Sequence, residues 1–224
     1  MPAIVQLLIV TTDELVAISI LSLLFSSVQN VDGSTFSDLI HIQGRFDVIL
    51  QNGAAFPLVA LLRHSSTTMQ EHALQVIGVI LSSGNIARIR IIVDANVLPG
   101  LRCLLLLPNE SIRVQTCLAL SNIMVEPYNI EKAIAADVFP PLLYLINVPH
   151  SSVSLDVQKQ VGFAIRNALV HGNTQQIYYL VGQGVIKLLC DLLNCSQFSA
   201  VAVEGKIFCY NFCHKARSLY SFFY

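Results

Sequence analysis

Apolar residues along this chain follow a helical period in one recurring kind of segment. Over 155–170, Val161, Ala164, Ile165, Ala168 and Leu169 recur at i, i+3, i+4 and i+7, the stripe a helix needs to face a core. Similar patterns predict long helices over 69–81 and 111–125. Ahead of each lies a short apolar segment that opens on Gly or a small polar residue and runs into leucines. The copies are Asn52-Gly-Ala-Ala-Phe-Pro-Leu-Val-Ala-Leu-Leu62, Ala95-Asn-Val-Leu-Pro-Gly-Leu-Arg-Cys-Leu-Leu105, Ala136-Asp-Val-Phe-Pro-Pro-Leu-Leu-Tyr-Leu-Ile146 and Gln183-Gly-Val-Ile-Lys-Leu-Leu-Cys-Asp-Leu-Leu193. No segment of comparable length has the two-residue period of a strand.

The copies are evenly spaced. Gly53 to Asn96 is 43 residues, Asn96 to Asp137 is 41 and Asp137 to Gly184 is 47. A helical repeat in the low-to-mid forties is the signature of an armadillo or HEAT array. Each unit reads as a short first helix (86–93, 130–136, 175–181), a second after the Pro or Gly (98–107, 141–146, 185–193) and the long third. Pro57, Pro99, Pro140 and Pro141 fall in first turns, where a missing N–H costs nothing. Asn52, Gly53, Asn96 and Gly184 read as turn residues that tolerate positive φ. The pattern predicts one array over 1–224 with about five units: 1–26 in part, 45–85, 86–126, 127–171, and 172–205 in part. Between the first two, 27–44 is a Ser/Asp/Gly-containing loop insertion, and 206–224 is a tail that leaves the pattern.

Composition narrows the function. With 54% hydrophobic residues in 224, the chain has ample side chains for a core. Thirteen basic residues against fourteen acidic ones, without a Lys/Arg cluster, give no electrostatic reason for a nucleic acid or an anionic membrane as partner. The most apolar uncharged stretch, 15–31, has 17 residues and is broken by Ser, Gln and Asn, short of the roughly 20 that span a bilayer. No basic residue precedes Arg45, so no secretory leader is expected and the chain reads as intracellular.

The sequence offers no catalytic constellation. His41, His64, His72, His150, His171 and His214 are scattered with no partnered Ser, Cys or carboxylate, and no Gly-rich phosphate loop occurs, so an enzyme is not expected. Cys103, Cys117, Cys190, Cys195, Cys209 and Cys213 mostly lie within apolar helical patterns and form no C-x-x-C pair, which reads as reduced, buried thiols. Cys209, Cys213 and His214 could share a helix face, but three ligands at that spacing fall short of a structural zinc site. Neither metal nor cofactor is expected.

Specific motifs carry a family resemblance. Ala119-Leu-Ser-Asn-Ile123, Ala164-Ile-Arg-Asn167, Ile92-Val-Asp-Ala-Asn-Val-Leu-Pro-Gly-Leu101, Asn109-Glu-Ser-Ile-Arg113 and the run QQIYYLVGQGVIKLLCDLL over 175–193 resemble importin alpha, the armadillo-repeat adaptor of nuclear import. The resemblance covers about 45–205 and matches the middle and C-terminal repeats. It implies an all-α, right-handed superhelical armadillo solenoid whose third helices line a groove for the extended nuclear localisation signal of a cargo protein. It also implies activity in cytoplasm and nucleus.

Such a groove needs an Asn amide to clamp the peptide backbone, a Trp wall through which Lys or Arg threads, and a carboxylate for the charge. Asn122 and Asn167 match the clamp, while Val79 stands where another clamp would be. Leu21, Leu118 and Phe163 occupy Trp positions, Gln115 and Gln160 the acidic ones, and Arg166 adds a positive charge beside Asn167. Gln75 completes the expected groove residues on the preceding third helix. Each Asn could instead bond within its helix, and Leu118 and Phe163 could be core. Polar Gln115 and Gln160, three residues earlier on the same faces, favour a solvated groove.

The lost walls and charges sum to about 2–4 kcal/mol, so a basic signal should bind roughly 10²- to 10³-fold more weakly than to an intact groove. Two functions remain: a degenerate import adaptor, or a generic armadillo scaffold without selectivity for localisation signals. Without a basic segment ahead of the array, importin beta is not an expected partner, and the tail after Val203-Glu-Gly205 reads as that of a truncated or mis-spliced gene product.

Overall fold

A computed structural model of the protein describes residues 46–48, 50–147 and 153–185. The partial repeat over 1–26 with Leu21, the 27–44 insertion, the 206–224 tail, and Cys190, Cys195, Cys209, Cys213 and His214 lie outside the described residues. Among the described residues the structure is helical, with no strand.

The helices come in threes. After a turn at Asn52–Ala54 come α1 (Ala55–Leu61) and the long α2 (Thr67–Ser82). Then follow α3 (Ile86–Asp94), α4 (Val97–Leu105) and α5 (Glu110–Ile123), next α6 (Pro127–Ala135), α7 (Phe139–Asn147) and α8 (Leu155–His171), and last α9 (Thr174–Gly182). The long helices are the third of each set, as their apolar stripes predict. Two shorter helices begin earlier than expected. The first starts at Pro127 rather than 130, because proline at the first helical position and exposed Tyr128 extend the helix ahead of its apolar stripe. The other starts at Phe139 rather than 141, since Pro140 and Pro141 are both accommodated in its first turn.

Local chemistry explains the order of turns. Each long helix is opened by a side-chain cap: Ser66 accepts from the Met69 N–H, Asn109 from Ile112 and Ser154 from Val157. Three second helices are entered differently, through a left-handed residue at Gly53 (φ 79°), Asn96 (69°) and Asp137 (55°), and Gly184 (88°) repeats that conformation after α9. These are the same four positions that mark the sequence period. Gly100 allows a close approach: a Cβ there would lie 3.1 Å from that of Leu62.

One apolar core runs from Phe46 to Val185, as expected when each unit must cover its neighbour's open face. α2, α5 and α8 pack most extensively, side by side, forming a layer of third helices. On other surfaces, polar pairs stitch one unit to the next. Arg90 holds Glu126 through two bonds of 2.7 Å, and Arg102 donates to the Asp137 carbonyl (3.0 Å) and carboxylate (3.2 Å). Gln176 donates to the Pro127 carbonyl at 2.9 Å and to Glu131 at 3.0 Å. No described helix is long and apolar enough to cross a membrane.

One expectation about the thiols needs correction. Cys117 is buried, and desolvation pushes its thiol up to about 12. Cys103 is exposed, because it lies on the face of α4 opposite buried Leu101, Leu104 and Leu105.

Candidate functional site: the face of the third helices

Burial along the third helices separates two faces. In α5, Ile112, Thr116, Cys117, Ala119, Leu120 and Ile123 are buried, while Gln115 and Asn122 are partly open and Leu118 is 45% exposed. These three follow a spacing of three and four, so they form one stripe. α8 repeats the arrangement: Val157, Val161, Ala164, Ile165 and Ala168 face the core, and Gln160, Phe163, Arg166 and Asn167 are half-buried. Leu118 is therefore not core, and Phe163 lies at the boundary. In α2 the stripe is Gln75, Gly78, Val79 and Ser82.

Where α2 and α5 lie side by side, their stripes enclose an open groove of about 310 Å³. Gln75, Val79, Gln115 and Leu118 line it together with Gly78 and Ser82. Four of the residues read from sequence, Gln75, Val79, Gln115 and Leu118, thus meet in one place. Gly78 and Ser82 were missed by sequence reasoning, although they continue the helical spacing from Gln75. Along α8, Asp156 stands four residues before Gln160 and pairs with Lys159 at 3.2 Å.

The two clamp candidates differ. Asn122 makes no side-chain hydrogen bond among the described residues, which leaves its amide open to a ligand. Asn167 donates from Nδ2 to the Ser121 carbonyl at 2.9 Å, binding α8 to the C-terminal turn of α5. Its Oδ1 accepts no bond among the described residues. Neither Asn bonds within its own helix.

The α2–α5 groove carries no charge on its lining residues. Glu71, one turn before Gln75, instead accepts from the Asn109 amide at 2.9 Å. Gln115 reaches only Ser111 Oγ, at 3.4 Å, and the Ser82 hydroxyl donates to the Val79 carbonyl at 2.9 Å. What remains is an apolar trough with amides at its rim. No group of three or more metal-ligating side chains occurs among the described residues.

Comparison with known proteins bears on the fold and its relatives. Importin subunit alpha-4 of Arabidopsis thaliana is 31% identical over 164 residues, covering 72% of this chain and 30% of that protein. Importin subunit alpha-1b of Oryza sativa subsp. japonica is 35% identical over 168 residues, with the same two shares. A designed armadillo repeat protein in complex with the peptide (KR)4 superposes with a TM-score of 0.76 at 26% identity, covering 92% of this chain and 79% of that one. The chain is an armadillo-repeat protein related in sequence to importin alpha. No protein-family model matches it. This armadillo array spans about 30% of the length of the curated relatives it matches.

Proposed function

We propose that the third-helix groove of this armadillo array holds an extended segment of a partner protein. In this reading the array works as an importin alpha-like adaptor for nuclear protein import, in cytoplasm and nucleus, with little preference for basic signals. The observation that carries it is the open groove between α2 and α5, with the unengaged amide of Asn122 one helical turn after its lining residue Leu118. An Asn amide offers both donor and acceptor to a peptide backbone, which suits an extended chain of any sequence. At α8, Gln160, Phe163 and Asn167 form the corresponding stripe, with no carboxylate among them.

The neutral lining favours a second reading, a scaffold that binds extended segments without regard to localisation signals. Titration separates the two. A labelled basic localisation peptide and a neutral extended control are added in parallel to the full chain. Both should bind, the basic peptide roughly 10²- to 10³-fold more weakly than a groove with intact acids and tryptophans would hold it. A residual preference for the basic peptide supports the adaptor, and equal affinity supports the scaffold. Failure of both to bind would refute the groove as a peptide site.

A further inference from the structure

The floor of the α2–α5 groove is a glycine that the fold does not require. Gly78 lies within α2 and has no positive φ. A Cβ placed there would meet no neighbouring atom within 4 Å, in contrast to Gly100 against Leu62. Glycine in a helix interior weakens the helix, so neither packing nor turn geometry explains it. Its effect is to leave space in the groove that Val79 and Leu118 also line.

Resting on the reading of this groove as a peptide site, we infer that the space above Gly78 is a side-chain pocket for one aliphatic residue, of leucine or methionine size, of the bound segment. Leu118 and Val79 supply apolar walls, Leu74 and Ala119 lie beneath, and the Ser82 hydroxyl is already satisfied by the Val79 carbonyl. A lysine or arginine entering here would lose water and meet no carboxylate, since the lining is uncharged and Glu71 is held by Asn109. An aliphatic side chain loses nothing by the transfer and buries the exposed face of Leu118. The Gln75 and Gln115 amides at the rim, with Asn122 beyond, are placed to take the flanking backbone.

The test uses a fluorescein-labelled peptide of about eight Ser, Thr and Gly residues, long enough at about 3.3 Å per residue to cross more than two helices about 10 Å apart. Its central residue is leucine, lysine or alanine, and each peptide is titrated by anisotropy against the full chain and against Gly78→Leu. The leucine peptide should bind about tenfold more tightly than the other two. Gly78→Leu should fill the pocket and erase that preference while its helical circular dichroism stays unchanged. Gly78→Ala, which adds a single methyl, should reduce the preference and raise the melting temperature. Equal binding of the three peptides, tighter binding of lysine, or a leucine preference that survives in Gly78→Leu would overturn the pocket and leave the peptide-site reading standing. Absence of binding by all three would remove that reading and the pocket with it.

Discussion

The amide nitrogen of Asn167 donates to the carbonyl of Ser121, 2.9 Å away and 46 residues earlier in the chain. The bond joins two neighbouring third helices and satisfies one of the carbonyls that the end of α5 leaves without an intrahelical partner. Asn122 holds the matching place in α5 and makes no such bond among the described residues. Equal residues in equal register thus differ in what they can offer a ligand.

That difference can be measured. Asn167→Ala should destabilise the protein by about 1 kcal/mol, the usual cost of a lost hydrogen bond with a partner left behind. Asn122→Ala should leave stability nearly unchanged and weaken binding of an extended peptide by about tenfold, the worth of roughly one hydrogen bond pair. Urea denaturation and peptide titration of both variants provide the check, and equal stability losses would contradict it.

Restoring the missing chemistry in the α2–α5 groove should change its preference. Gln115→Glu combined with Leu118→Trp supplies a carboxylate and a cation–π wall within one groove. These terms sum to roughly 1.5–3 kcal/mol, so a basic peptide should bind at least about tenfold more tightly to the double variant. Isothermal titration at low and high salt reads the effect, and the gain should shrink as salt rises. Unaltered affinity would mean that this face does not line the binding groove.

At the start of the described array, Asp47 accepts two bonds from buried Arg88, at 2.7 and 2.9 Å, and the Arg88 guanidinium packs over Phe46. These hydrogen bonds hold the Asp47 carboxyl below its ordinary value. A carboxyl depressed in the folded state contributes stability above its unfolded pKa and loses that contribution as pH falls through the folded one. Denaturation midpoints should therefore drop below about pH 4 by an increment that Asp47→Asn lacks. The increment should be small, because the Asp47 side chain is 48% exposed and water screens the pair.

Thiol chemistry should distinguish α4 from α5. Cys103 is exposed and should react with maleimide in the native protein. Cys117, buried and pushed up to about 12, should stay unmodified until denaturant is added. Peptide mapping by mass spectrometry reads the two sites separately, and native labelling of Cys117 would show that α5 opens readily.

Much of the array was legible in the order of residues. Helix class, period and the long third helices followed from the apolar stripes, because a helix can bury only residues that recur near 3.6. Of the four left-handed residues, Gly53, Asn96 and Gly184 were legible as types that tolerate that conformation, while Asp137 marked only the period. Gln115 and Leu118 could be assigned to one face of their helix from spacing alone, and Gln75 to the groove only through the family resemblance. Spacing within a helix says nothing about which faces of different helices meet, so their convergence in one groove, with Gly78 as its floor, was decided by the packing of α2 against α5. The same holds for the two asparagines. Their shared register was written in the sequence, but whether an amide is spent depends on the distance to a neighbouring carbonyl, and only the tertiary structure places Ser121 within reach of Asn167.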